Sequence, residues 1–450
     1  MLSLVAALLM GQTPCGPLDL RTALDLAARR SDEVAIKQAE AATADVDVAL
    51  AKAIAFLPQS SLQFVFGPSP GATGSVTDVL SGSSVGLTNV GAFGRIDAQL
   101  LQPLWTWGQL TGARDAAKAG LRARQHLVDD TLSQVQLRVI QLYWGDALAR
   151  RFLAIAAEVE KALVDVDAHI TKSLKDETGD VTPQDKYQVA LFRSQLSSRK
   201  ADAQQAQELA RIGLAATLAL PRDRLVLKET TLEAEQVAVP SVAQALEQAE
   251  LDRPDLRALS AAIDAKRAEV QIKNGAMYPQ LFVAGELSAA YADNRTWQTN
   301  PWVSDPFNEL SLGAVLGIRQ DLGIPAMIEQ KRKTESELRA LERQQIGLKR
   351  LIDTQVESAV AELTAAQARA KAAESGFIAG RAWFHAAGLD FEANVGDAKS
   401  LLLAYKGYVE SQVSSAQSAY DVLVAKAKLA QATAMPLGPA PTGEAQCTLP

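Results

Sequence analysis

Along most of the chain, apolar residues recur every three or four positions among alanine, glutamine and charged side chains, the pattern of helices that bury one stripe. Two stretches carry it unusually far. Residues 111–175 and 325–390 have no internal proline, and each predicts a helix of roughly 65 residues, ~98 Å at 1.5 Å per residue. Shorter helices are predicted over 31–56, 184–218, 254–276 and 398–434, of ~39, ~53, ~35 and ~56 Å by the same rise. Taken in pairs they match the long helices. That predicts two long hairpins, each completed by a shorter helix stacked on it. Leu121, Val128, Leu132, Val135, Val139 and Leu142 in the first long helix, and Leu338, Leu341, Leu348, Ile352, Val356 and Leu363 in the second, form heptad-like coiled-coil seams. Interleaved alanines leave the neighbouring faces small enough for partners on both sides, as the wall of a helical barrel requires. A solitary antiparallel coiled coil shows the same stripe.

Four other segments change period. Residues 60–67, 95–104, 281–290 and 308–318 alternate apolar with polar or small residues: Ile96, Ala98 and Leu100 against Arg95, Asp97 and Gln99, and Leu310, Leu312, Ala314, Leu316 and Ile318 against Glu309, Ser311, Gly313, Val315 and Gly317. They read as two strand pairs around polar loops at 68–91 and 291–307. About 9–11 residues is the length a tilted strand needs to cross a bilayer. A soluble hairpin with one side on a core is the alternative. Four strands cannot close a barrel, and an open sheet edge in lipid leaves backbone groups unsatisfied. Two copies would make an eight-stranded barrel filled by its own side chains. A conducting duct therefore calls for three copies or more.

The chain also repeats itself. Ala23-Leu24, Asp32-Glu33-Val34, a long Ala-rich stretch and Phe56-Leu57-Pro58-Gln59 return as Ala245-Leu246, Pro254-Asp255-Leu256-Arg257, another such stretch and Met277-Tyr278-Pro279-Gln280. The offset, about 222 residues, is half the chain and marks duplication of one large unit. The expected organisation is a signal-like segment at 1–16, a first repeat at 17–220, a connecting segment at 221–240, a second repeat at 241–434 and a tail at 435–450. The apolar run at residues 2–10 reads as a short secretory h-region, although no Lys or Arg precedes Arg21. Nowhere else is there an apolar stretch of transmembrane-helix length, so any spanning falls to strands.

Composition narrows the classes. Aromatic residues make up only 5% of the chain, which suits long helices packed through small side chains better than a thick-cored enzyme. A net charge of -7 without a basic stripe argues against nucleic-acid binding. Cys15 and Cys447 exclude a disulfide-dense scaffold; a terminal bridge and two unrelated tail cysteines both stay open, and Pro14 makes a poor lipobox for acylation of Cys15. His126, His169 and His385 lie on separate turns without a second ligand at metal spacing. No phosphate loop or nucleophile elbow is present, and neither a cofactor nor catalysis is expected.

The duplicated Ala-Leu, Pro-Asp-Leu-Arg and Pro-Gln pattern, Gln102-Pro103-Leu104 leading into the long helix, and the glycine-bearing hairpin ends resemble the TolC-type outer-membrane efflux proteins over about residues 18–434. The resemblance implies a mainly α fold with membrane β: long coiled-coil hairpins forming an α-barrel, and four strands per chain contributing to a 12-stranded transmembrane β-barrel in outer-membrane lipid. It implies a homotrimer with a closable periplasmic end. It also implies partnership with a periplasmic adaptor (membrane fusion) protein and an inner-membrane pump or ABC transporter, in efflux or type I secretion. A periplasmic coiled-coil adaptor and a structural scaffold are the competing classes; an adaptor shows one hairpin flanked by β-rich domains, and a scaffold has no reason to keep bilayer-length strands.

Candidate sites follow from the resemblance. Gly179-Asp180-Val181-Thr182-Pro183-Gln184-Asp185 is similar to the family's tip pattern, a glycine followed six residues later by an aspartate, where adaptor hairpins dock. The same residues read as a helix-to-helix turn capped by Thr182 with Pro183 at the first helical position. The second tip, with Val395, Gly396 and Asp397, has Leu402 where that aspartate would fall. Asp165, Asp167, Asp390, Glu392 and Asp397, triplicated, would ring a narrowed periplasmic entrance, and Arg381 would bridge neighbouring helices there. A solvated helix face is the alternative for each. Trp105 and Trp107 follow the second strand, either as interfacial anchors or packed on the helical shoulder.

Overall fold

Both halves of the chain fold into one order of elements: two helices, two strands, two helices. The computed structural model describes residues 17–56, 59–73, 84–176, 182–228, 231–297, 302, 304–393, 395 and 398–438. The first half comprises α1 (Leu20–Arg30), α2 (Asp32–Phe56), β1 (Gln59–Thr73), β2 (Ser84–Trp105), α3 (Gln109–Asp176) and α4 (Pro183–Thr217). The second comprises α5 (Val242–Asp252), α6 (Pro254–Gly275), β3 (Gln280–Ala292), β4 (Glu309–Arg319), α7 (Ile324–Glu392) and α8 (Ala398–Ala432). The signal-like segment 1–16, Cys15 and Cys447 lie outside the described residues. Among the described residues no helix is long and apolar enough to cross a membrane.

The expected helices at 31–56 and 254–276 are present, with an addition, and the expected loop at 68–91 is shorter. The helices at 31–56 and 254–276 are each preceded by a separate helix of 11 residues, α1 and α5. Asp19 caps α1 by accepting from the Thr22 N–H at 2.8 Å, and Ser241 caps α5 by accepting from the Gln244 N–H. The breaks fall at Ser31 and Arg253, both extended, and Pro254 disfavours helical geometry at the residue before it. The second difference concerns residues 68–91. β1 continues to Thr73 and β2 begins at Ser84, so only the middle of the expected loop is left between the strands. Pro68 and Pro70 are tolerated because β1 is an edge strand, and the register shifts just after Pro70.

All four strands join one antiparallel sheet in the order β1-β2-β3-β4. The join between the two hairpins, β2 on β3, runs in one register from the pair Phe93 and Ala292 to the pair Pro103 and Phe282, and shifts only before the last pair, Trp105 and Leu281.

The chain divides into two units, each drawing on both halves. One comprises residues 41–123 and 259–344 and holds the sheet. Here the chain turns from β2 into α3 through Trp107 at φ 51° and Gly108 at φ 87°. A side chain at Gly108 would be strained by that φ and would also meet Gln271, 2.7 Å from the Cβ position.

The other unit comprises residues 1–40, 124–258 and 345–450 and holds three apolar cores. One joins α1 to α3 and α4 through Leu24, Val135, Val139 and Leu214. A second joins α5, α7 and α8 through Ala245, Ile352, Val356, Leu363 and Val422. In the third, Ile155, Val159 and Leu163 of α3 meet Val189 of α4, with Tyr405 and Val409 of α8 packed on them. Five of the seam residues are among the most buried, and Leu121, Val128, Leu132, Leu142, Leu338, Leu341 and Leu348 are half-buried beside them. One charge sits within this apolar packing. Asp146 of α3 is fully buried, accepts a hydrogen bond from Arg211 Nε of α4 at 2.9 Å and lies 2.7 Å from Arg150 Nε. Arg150 in turn donates to the Lys228 carbonyl, tying the connecting segment to the helix pair.

Candidate functional site

The faces of the sheet follow from its register, because residues directly opposite each other on neighbouring strands share a face. Leu62, Phe64 and Phe66 oppose Ala98, Ile96 and Gly94; these oppose Leu287, Ala289 and Tyr291; and Leu287 and Ala289 oppose Leu312 and Leu310. This face carries no charged side chain. Its large residues stand in the open, Phe66 at 78% and Leu312 at 82% exposure. The opposite face reads in rows across all four strands: Val65, Arg95, Ala290 and Glu309; then Gln63, Asp97, Ser288 and Ser311; then Ser61, Gln99, Glu286 and Gly313. Arg95 and Asp97, two residues apart on this face, pair at 2.8 Å. Among the described residues β1 and β4 each have a single strand partner, and the other side of β1 carries only an isolated parallel bridge from Ala72 to Arg295.

At the strand ends near the helices, Trp107 donates from Nε1 to the Pro279 carbonyl at 2.6 Å and packs between Trp105 and Tyr278. All three rings remain about half exposed.

The other end is tied by a polar knot. Asn294, just past β3, donates from Nδ2 to the Ser69 and Asn89 carbonyls at 3.0 and 2.7 Å. Arg295 forms a two-pronged pair with Asp305, both bonds 3.0 Å, donates to the Pro70 carbonyl and covers the Phe307 ring. Phe307 packs edge-on to Phe93. Phe93 and Gly91 belong to the polar face, two and four residues from Arg95. A Cβ at Gly91 would lie 2.1 Å from Asp293 Oδ1, so the glycine leaves room for the chain that folds over it. The knot therefore lies over the polar face.

The helical hairpins hold the remaining candidates. At the first, Thr182 precedes Pro183, and the Asp185 carboxylate accepts from both the Thr182 N–H at 2.8 Å and its hydroxyl at 2.9 Å. Gly179, Asp180 and Val181 lie outside the described residues, as do Gly396 and Asp397 of the second tip. Val395 is 83% exposed and donates its N–H to the Asp390 carbonyl at 2.9 Å. Asp165, Arg381, Asp390 and Glu392 are exposed, whereas Asp167 is half-buried and pairs with Arg193 of α4 at 3.5 Å. That pair matches the charge of Asp167 and sets it apart from the other four.

Sequence reasoning missed what stiffens the second hairpin. Phe384 of α7 packs on Tyr405 and stacks on Tyr408 of α8, and Phe377 stacks on Tyr408 from one heptad earlier. Gly380 and Gly407 make room for Tyr408, Ser411 and Trp383. Burial pushes the Tyr405 hydroxyl up to about 12, with the Glu158 carboxylate adding to it. The seven-residue spacing of Phe377 and Phe384 was the available signal. A groove of about 1340 Å³ opens between the hairpins, lined by Phe192 and Arg199 of α4, Gly376 of α7 and Lys406 and Glu410 of α8. Among the described residues no group of three His, Cys, Asp or Glu is placed to hold a metal.

No family model matches the chain, and no curated protein matches it in sequence. Solved structures do match. The Campylobacter jejuni CmeC outer membrane channel superposes with a TM-score of 0.75 at 12% identity, covering 94% of this chain and 90% of its own. The open-state Neisseria gonorrhoeae MtrE outer membrane channel gives 0.75 at 15% identity over the same shares. CusC, described for its folding and transmembrane channel formation, gives 0.74 at 16% identity over 96% of each chain. The chain has the TolC-type outer-membrane channel fold. The TolC-type fold embraces nearly the whole chain, helices and sheet alike, as the duplicated pattern implied. At such low identity the match is of architecture, and the residue-level sites above rest on this chain's own geometry.

Proposed function

We propose that the chain is the outer-membrane channel of an export system, conducting substrates from the periplasm to the exterior without chemical change. The observation that carries this is the sheet: apolar and exposed on one face, polar on the other, with no strand partner at either edge among the described residues. In water the apolar face is a liability. In lipid it is satisfied, provided the edges are closed, since each unpaired backbone group costs several kcal/mol there. Joining β4 of one copy to β1 of the next closes both edges at once. Three copies give 12 strands, enough to leave a water-filled lumen lined by the Arg95, Asp97 and Glu286 rows, with the helical hairpins continuing the passage through the periplasm.

Two measurements test this. Native mass of the detergent-extracted protein is expected to show three chains, and a tag inserted between Thr73 and Ser84 is expected to be labelled on intact cells. A stable monomer, or labelling only after the outer membrane is permeabilised, would count against the reading.

The hairpin ends are the proposed docking sites for a periplasmic adaptor, which would link the channel to an inner-membrane pump or ABC transporter; Asp165, Asp390, Glu392 and Arg381 are proposed to line its closable entrance. Gly179→Trp places a bulky ring where a partner hairpin would approach and is expected to leave abundance and trimer unchanged while export falls sharply. Gly396→Trp is expected to act more weakly. Normal export from both variants at normal abundance would remove the tips from the mechanism.

A further inference from the structure

The polar knot beyond β3 lies outside the strand ladders and touches the sheet's backbone only at its end, through Asp293 on Ala92, a bridge from Arg295 to Ala72 and the side-chain bonds of Asn294 and Arg295. It is nevertheless built as firmly as a core. Ser69, Asp305 and Asn308 are buried, and the Arg295–Asp305 pair is bidentate and shielded by Phe307. Asn308 accepts from the Ala292 N–H at 2.8 Å and donates to the Arg295 carbonyl, so both ends of the connection between β3 and β4 are held. Gly91 and the Phe93–Phe307 contact place this material over the polar face.

Resting on the channel reading, we infer that residues 293–297 and 304–308 form a fixed collar over the lumen face, which sets the size of solute admitted at the outer mouth. Three copies would bring three collars to one rim. The collar acts by occupying space, and Asn294 and the Arg295–Asp305 pair hold it there. Asp305→Ala leaves Arg295 without its carboxylate, and Asn294→Ala removes the side-chain bonds to Ser69 and Asn89 while the contacts of Asp293, Arg295 and Thr296 with Ala92, Pro70 and Ala72 stay; either should loosen the collar on the face while the strand ladders persist. Nothing in the inference involves the periplasmic end, so its test must read the outer mouth alone.

The test uses the full-length protein in intact cells, with Cys15 and Cys447 changed to Ser and Gln99→Cys placed on the exposed polar face within the sheet. Two membrane-impermeant maleimides are added outside, one small and one carrying a polyethylene glycol chain. With the collar intact, the small reagent is expected to react and the large one to lag. Asp305→Ala is expected to speed the large reagent about tenfold with little change for the small one, as widening of a steric constriction predicts. Asn294→Ala is expected to do the same and decides the matter should Asp305→Ala fail to assemble. Equal lag of the large reagent with and without the tie would overturn the collar alone. Failure of the small reagent to reach Gln99→Cys in the otherwise unchanged protein would overturn the channel reading, and the collar with it.

Discussion

Leu312→Arg is expected to abolish assembly of the protein in the outer membrane, while Ser311→Arg, one residue away, leaves it intact. The two positions have opposite environments in the sheet. Leu312 stands on the apolar face opposite Leu287, and Ser311 on the polar face opposite Ser288. An arginine on the lipid side of a barrel strand costs about 2 kcal/mol or more away from the interfaces, and on the proposed reading three symmetric copies would bring the cost to ~6 kcal/mol per assembly. An arginine on the polar face, the lumen side of the proposed barrel, would keep its water and join a face that already carries Arg95. Comparing unheated and heated outer-membrane fractions by gel mobility reads the outcome directly. Equal assembly of both variants would mean that the apolar face does not meet lipid.

Asp146→Ala is expected to be the most damaging single change in the helical part. Removing one partner of a buried ion pair costs about 3–5 kcal/mol, because the surviving charge is left without compensation. Here two guanidinium groups are left, on Arg150 and Arg211, and Arg211 is 45% exposed on its side chain, so solvent recovers part of the loss. The expected cost is therefore near the lower limit, about 3 kcal/mol. The release of α4 and residue 228 from α3 would appear as faster proteolysis of the segment after α4, with the sheet's assembly in the membrane unchanged. A variant as resistant as the parent would show that the pair adds nothing to the packing around it.

The helices were legible because their signal is local and long: the seam residues from Val128 to Leu142 and from Leu348 to Leu363 point inward as their spacing says. The strands were legible by alternation, but β1 and β2 were drawn short because Pro68, Pro70 and Gly71 carry loop chemistry in a place where an edge strand tolerates it. The joining of β2 to β3 was not legible, since Ile96 and Ala289 are far apart in sequence and nothing in either strand names the other. Asp146 is, in sequence, one charge among many along a long helix. Only the folded chain brings Arg211 of α4 to it, and the same holds for Asn294 and Ser69. Of the candidate sites, the acidic residues were visible as a cluster in sequence, but the Arg193 partner that separates Asp167 from the rest was not.

The edges of the sheet also bear on how the chain must be made. β4 has no proline or lysine in its ladder and its only charges are Glu309 and Arg319 at the two ends, so between them it presents exposed leucines and isoleucine beside unpaired backbone. Such a strand is a template for edge-to-edge addition of any other strand. β1 carries its two prolines, Pro68 and Pro70, toward one end only, and Gln59–Gly67 has none. On the proposed reading, a newly exported copy therefore carries an adhesive edge through the periplasm until two others meet it. Its yield should depend on chaperones that cover that edge, and overproduction should fail first by aggregation of single chains rather than by loss of helix.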